Sequence, residues 1–182
     1  MEVLATDIPA VKLIKPKVFE DERGWFMETW RQREFAAAGI DAVFVQDNQS
    51  RSVGGTLRGL HYQVGCPQGK LVRAITGDIF DVAVDLRTSS ATFGCWVGAR
   101  LTGENKMQLW VPEGFAHGFL VVSAFADVIY KCTGYYVPEA ERTLRWNDER
   151  VAIRWPLERG KTPILSRKDA SAGSLAQCEL FP

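Results

Sequence analysis

Apolar and polar residues alternate most cleanly between Ile79 and Leu86. There Phe80, Val82, Val84 and Leu86 point one way, and Asp81, Ala83 and Asp85 the other. That two-residue period predicts a strand. Short runs rich in Val, Ile, Phe, Tyr and Trp recur along the chain. Turn signals separate them at Gly54-Gly55, Gly65-Cys66-Pro67, Gly77-Asp78, Gly103-Glu104-Asn105 and Pro112-Glu113-Gly114. This rhythm predicts an all-β sandwich or barrel. A jelly roll fits best, with a cavity lined by inward side chains as the natural place for a small molecule. One helix is expected near Arg31 to Ala38, ended by Gly39 at the position where a left-handed residue closes a helix. A second short helical piece is expected around Asp169 to Gln177. Long helices alternating with strands are absent, which argues against a parallel α/β sheet.

One predicted strand carries the wrong residues for a plain core. Thr56 to Gln63 places Arg58, His61 and Gln63 among apolar neighbours. Strict alternation sets Leu57, Gly59, His61 and Gln63 on one face and Arg58 and Leu60 on the other. A bulge at Gly59 would bring Arg58 and His61 to the same side. The plain alternative is a rim arginine and a hydrogen-bonded structural histidine. His117, the only other histidine, lies in the aromatic and glycine-rich segment Trp110 to Phe119, and a satisfied structural role is open for it too.

Composition narrows the classes. The 182 residues are 46% hydrophobic and 24% charged, an ordinary globular balance that fits one domain over 1–182. Twenty-two basic and 22 acidic side chains cancel, so the basic excess typical of nucleic-acid proteins is missing. No window approaches a membrane span, and the N-terminus does not read as a signal peptide. The four cysteines, Cys66, Cys95, Cys132 and Cys178, are widely spaced without a CxxC pair. Free thiols and a cytoplasmic location are expected. No HxH pair appears. His61, His117 and a carboxylate would be the only metal set available, so a catalytic metal is not expected. Dinucleotide, P-loop and GxSxG signatures are absent as well.

Nine segments then carry a resemblance. They are Phe19 to Glu28, Gln46 to Ser50, Leu57 to Gln63, Gln68 to Arg73, Asp81 to Arg87, Trp110 to Phe119, Tyr130-Lys131, Trp146 to Asp148 and Leu165 to Asp169. In this order, over nearly the whole chain, they resemble the dTDP-4-dehydrorhamnose 3,5-epimerase family. The resemblance implies a double-stranded β-helix of the cupin type with a few short peripheral helices. It implies a cofactor-free homodimer with site residues shared between subunits, acting on a dTDP-linked 4-keto-6-deoxy sugar in rhamnose and cell-wall polysaccharide biosynthesis. No nucleic acid or membrane partner is implied. By motif position His61 is the base, Tyr130 the acid, Asp169 the histidine's partner and Lys70 the group facing the C4 oxygen. Arg23, Glu28, Gln46, Asp47, Asn48, Arg58, His117, Glu141 and Lys168 match nucleotide- and sugar-contacting positions, and Tyr136 matches an aromatic that stacks on thymine. The loop from Val64 to Gly69 looks one residue shorter than in relatives, with an unusual Cys66-Pro67, which bears on how Lys70 is presented.

The chemistry suits these residue types. Removing a proton beside a ketone needs a base poised near neutral pH, a cation or donor for the enolate oxygen, and an acid on the opposite face. A histidine, a lysine and a phenol supply them. Asp169 would hold the imidazole in one tautomer, and Asp81 would add a second anchor for a histidine. Arg23 and Arg58 suit a diphosphate. Gln46 and Asn48 suit a pyrimidine edge, and Tyr136 offers a stacking face. Three other readings stay open at this point: an epimerase acting on one carbon only, a metal-dependent cupin enzyme, and a nucleotide-sugar-binding module.

Overall fold

The computed structural model describes residues 1–158 and 160–182. Thirteen strands and two short helices follow in chain order: β1 (Glu2–Leu4), β2 (Lys12–Lys15), β3 (Val18–Asp21), β4 (Gly24–Met27), α1 (Gln32–Ala37), β5 (Gln46–Val53), β6 (Leu57–Gln63), β7 (Lys70–Thr76), β8 (Asp78–Asp85), β9 (Trp96–Thr102), β10 (Gln108–Val111), β11 (Phe115–Val121), β12 (Phe125–Cys132), β13 (Glu141–Thr143) and α2 (Arg167–Ala170). One sheet has the order β1-β2-β10-β7-β12-β5 and the other β13-β6-β11-β8-β9, all neighbours antiparallel. The two sheets pack face to face as a jelly-roll sandwich, the expected all-β cupin-like architecture. Among the described residues, strands β3 and β4 pair only with each other.

The strand patterning explains the layers. Ile79 and Ala83 of β8 point between the sheets, into a core shared with Val72, Leu109, Phe119 and Val128. Val82 and Val84, from the other face of β8, pack with Leu60, Ala116 and Leu86 under the C-terminal segment carrying Trp155 and Phe181. A third cluster, Ile14, Leu71 and Trp110, lies beneath Phe35 of α1 and Ile40. Central strands are therefore buried on both faces, and β11 is buried at every position. Each large aliphatic side chain sealed in this way contributes about 1.5–3 kcal/mol. The predicted strand from Ile79 to Leu86 is displaced by one residue, to Asp78–Asp85, because Leu86 already leaves the ladder.

The first helix forms where expected. Gly39 takes φ +77° after it, and the Ile40 N–H bonds back to the Phe35 carbonyl at 2.8 Å, so the glycine closes the last turn. The second expected helix is corrected. Instead of one element over Asp169 to Gln177, the chain forms α2 and a separate 3-10 turn, Leu175–Gln177. Ser166 caps α2 by accepting from the Asp169 N–H at 3.1 Å.

Candidate active site

A cleft of roughly 330 Å³ opens between the two sheets, within the range of small-molecule sites. One wall comes from the five-stranded sheet, with Arg58 and His61 of β6 and His117 of β11. The other comes from the six-stranded sheet, with Asn48 of β5, Lys70 of β7 and Tyr130 of β12.

The placement of Arg58 and His61 depends on Gly59. His117 pairs with His61 and Phe119 with Arg58, so Gly59 and Leu60 together face Gly118 alone. This is the bulge expected from the sequence. Gly59 sits at φ +112°, and a Cβ there would lie 2.6 Å from both the Gly118 Cα and the His117 carbonyl oxygen. Only glycine fits both constraints. The extra residue turns Arg58 and His61, three positions apart, into the same cleft.

His61 is tied from behind. Its Nε2 is 2.6 Å from Asp169 Oδ1. Burial works against ionisation of Asp169, but the hydrogen bonds from His61 and Ser166 outweigh it and hold the carboxyl below its usual range. An ionised carboxylate only accepts, so Nε2 carries the proton and Nδ1 of the neutral ring keeps its lone pair. Nδ1 has no protein partner among the described residues.

His117 forms a second pair of the same kind, with Nε2 2.7 Å from Asp81 Oδ1. This is the second anchor expected of Asp81. Both members are buried. Burial pushes the Asp81 carboxyl up, opposed by His117 and by the Lys70 ammonium. Lys70 is itself buried, which pushes its pKa down, while Cys132, Glu141 and Asp81 oppose. Tyr130 is raised, mainly by burial, so its phenol stays protonated well past neutral pH.

The remaining expected residues separate into three groups. Gln46, Asn48, Arg58, Tyr136 and Glu141 line the cleft with the catalytic candidates. Arg58 donates from Nε to Ser52 at 2.9 Å, leaving its terminal nitrogens for an anion. Glu141 accepts from Tyr136 at 2.9 Å and from Lys168 at 2.7 Å, which sets Lys168 at the rim. Asp47 points to the opposite face of β5 from Gln46 and Asn48, paired with Lys131 at 2.9 Å, so its side chain is outside the cleft. Arg23 and Glu28 are also outside it. Arg23 pairs with Asp21 on the β3–β4 hairpin, and Glu28 with Arg31. Among the described residues, no three His, Cys, Asp or Glu side chains cluster as a metal site.

Similarity to known proteins shows the family. The family model for dTDP-4-dehydrorhamnose 3,5-epimerase matches residues 5–177. The chain belongs to the dTDP-4-dehydrorhamnose 3,5-epimerase family. A relative of that name from Pseudomonas aeruginosa is 52% identical over 183 residues, covering 100% of both chains. Another from Neisseria gonorrhoeae is 54% identical over 98% of this chain, which spans only 54% of that protein's length. Among solved structures, the dTDP-6-deoxy-D-glucose-3,5-epimerase of Legionella pneumophila, determined with dTDP-4-keto-L-rhamnose, is similar with a TM-score of 0.95 and 50% identity, covering 99% of this chain and 97% of that one.

Several cleft residues of this epimerase-family chain escaped the sequence reading, among them Ser50, Gln68, Phe119 and Cys132. Gln63 stands out in the sequence only as an odd polar residue in an apolar strand. The signal for Ser50 and Cys132 is only that they lie two residues from Asn48 and Tyr130, on the same face of their strands.

Proposed function

We propose that the protein inverts C3 and C5 of dTDP-4-dehydro-6-deoxy-D-glucose to give dTDP-4-dehydro-L-rhamnose. The observation that carries this reading is the arrangement of the cleft. An imidazole backed by a carboxylate stands on one wall, a protonated phenol on the other, and a buried ammonium shares the space. His61 Nδ1 takes the proton from a carbon beside the C4 ketone. Asp169 stabilises the imidazolium that forms. Lys70 donates to the developing enolate oxygen, a stronger contact in a site that excludes water than in solution. Tyr130 returns a proton to the opposite face. Both C3 and C5 flank C4, so one enolate-stabilising ammonium serves both inversions, with the sugar re-presented between them. Arg58 meets the diphosphate, and Tyr136 stacks on the base.

Mass spectrometry and NMR of the product formed in deuterium oxide test this. Solvent label at both C3 and C5 is expected. Label at one carbon reduces the activity to a single-centre epimerase, and no label leaves a binding module.

The assembly we propose is a homodimer in which Arg23 and Glu28 of one copy complete the cleft of the other. Both lie outside their own cleft, near a separate hairpin that exposes Phe19, Trp25 and Phe26. Mixing Arg23→Ala with His61→Ala protein should recover up to about a quarter of wild-type activity, because mixed dimers hold one intact site. No recovery would remove the shared site. The four free thiols fit a reducing cytoplasm.

A further inference from the structure

The strand that carries His61 ends in Gln63, which the chemistry above leaves without a role. The residue is only 2% exposed. Nε2 donates to the Tyr135 carbonyl at 3.1 Å and to the Cys66 carbonyl at 2.9 Å. Oε1 accepts from the Val137 N–H at 2.8 Å. The amide therefore grips the backbone immediately before and immediately after Tyr136. Both Nε2 hydrogens and one Oε1 lone pair are used, so turning the amide would strand buried polar atoms.

Tyr136 itself is held at two further points, its backbone N–H and its hydroxyl. Its side of the cleft is open, with 49% of the residue exposed. The Tyr136 N–H donates to Gln46 and its hydroxyl to Glu141, both at 2.9 Å. A stacking face is useful only if its plane is fixed before the base arrives, since ordering it on binding costs affinity. The backbone torsions at 135–137 fix where that ring can point. The same amide ties down the loop after β6 through Cys66, and Gln68 adds a bond to the Gly134 carbonyl at 2.7 Å. The short loop between His61 and Lys70 is thus fastened to the segment bearing Tyr136.

We propose that Gln63 is a positioning residue for the nucleobase end of the cleft, acting through Tyr136, and that the Val64 to Gly69 loop serves the same end. This rests on the reading of the cleft as a dTDP-sugar site.

Calorimetric titration of Gln63→Leu with dTDP and with inorganic pyrophosphate separates the possibilities. Loss of the amide should weaken dTDP about tenfold and pyrophosphate less than about twofold. KM should rise about tenfold while kcat changes less than about threefold. In a Tyr136→Ala background, Gln63→Leu should add less than about twofold, because the two act as a unit. Equal losses for both ligands, a loss confined to kcat, or full additivity with Tyr136→Ala overturns the role. If Gln63→Leu does not fold by circular dichroism, Gln63→Asn, which keeps an amide but withdraws it, is put through the same cycle. Failure of both to fold makes Gln63 a folding residue and ends the proposal. Wild-type protein that binds no dTDP removes the functional reading and this inference with it. Wild-type protein that binds dTDP and epimerises, beside unaffected Gln63 variants, removes the inference alone.

Discussion

His61 and His117 sit opposite each other across the β6–β11 ladder, each with Nε2 on a carboxylate, at 2.6 and 2.7 Å. Their surroundings differ. Asp81 lies on β8, the strand next to His117, so the ladder itself fixes the pair, and the His117 side chain is 7% exposed. Asp169 comes from a four-residue helix far along the chain, and the His61 side chain is 28% exposed. Burial dominates Asp81 and raises its pKa, while at Asp169 the bonds from His61 and Ser166 win and lower it. A group that gains and loses a proton in each half-reaction needs one open nitrogen and a carboxylate ready to stabilise its charged form. A group that only positions a ligand needs neither. On the proposed reading, proton transfer falls to the pair whose histidine is part-exposed and rigidity to the pair buried at both members.

Substitutions break this contrast in a graded way. His61→Ala should lower kcat by about 10⁴-fold, with dTDP affinity within about threefold of wild type by calorimetry. A larger loss of binding than of rate would reverse the assignment. Asp169→Asn should lower kcat by about 10²-fold with little change in melting temperature. Asp81→Ala should instead lose about 3 kcal/mol of stability, because it leaves His117 and Lys70 without their buried carboxylate. Denaturant midpoints and kcat for the two variants, measured side by side, decide whether the pairs divide the work in this way.

Two pH effects follow, the smaller last. Lys70 is a base whose pKa is lowered from 10.5 by burial. Its ammonium is lost as pH rises through that lowered value, while Tyr130, raised by burial, remains protonated. The alkaline fall of kcat/KM should therefore lie below pH 10.5, and Lys70→Arg, if active, should move it upward. On the acid side, burial opposes ionisation of Asp85, but bonds from Arg87, Ser90 and Thr92 hold it at about 2 against 3.8 unfolded. Depressed carboxyls stabilise the fold above 3.8 and stop doing so as pH falls through their folded values. Asp85 should contribute about 2 kcal/mol that disappears between pH 3.8 and 2. Asp81, shifted the other way, adds nothing to that loss. Thermal melts from pH 5 to 2, repeated on Asp85→Asn, check this; an unchanged acid limb would contradict it.

Local patterning already contained the β rhythm, the strands around Thr56 to Gln63 and Ile79 to Leu86, the end of α1 at Gly39 and the bulge at Gly59, because each follows from one residue type meeting one backbone requirement. The pairing of His61 with Asp169 came from resemblance, since no spacing rule joins residues so far apart. Asp81 was legible as an anchor for a histidine, but not for which one. Asp47 illustrates a different limit. Its motif neighbours Gln46 and Asn48 face the cleft, and strand alternation turns its side chain to the outside, toward Lys131.

By itself the sequence determined the β architecture, the special glycines and the chemical groups available, because period, torsional freedom and functional groups are local properties. Only the tertiary structure decided which histidine receives which carboxylate, which wall of the cleft His61, Lys70 and Tyr130 stand on, and that Gln63 bonds the backbone on both sides of Tyr136. Those are properties of strand order and burial, set where distant segments meet to close one core.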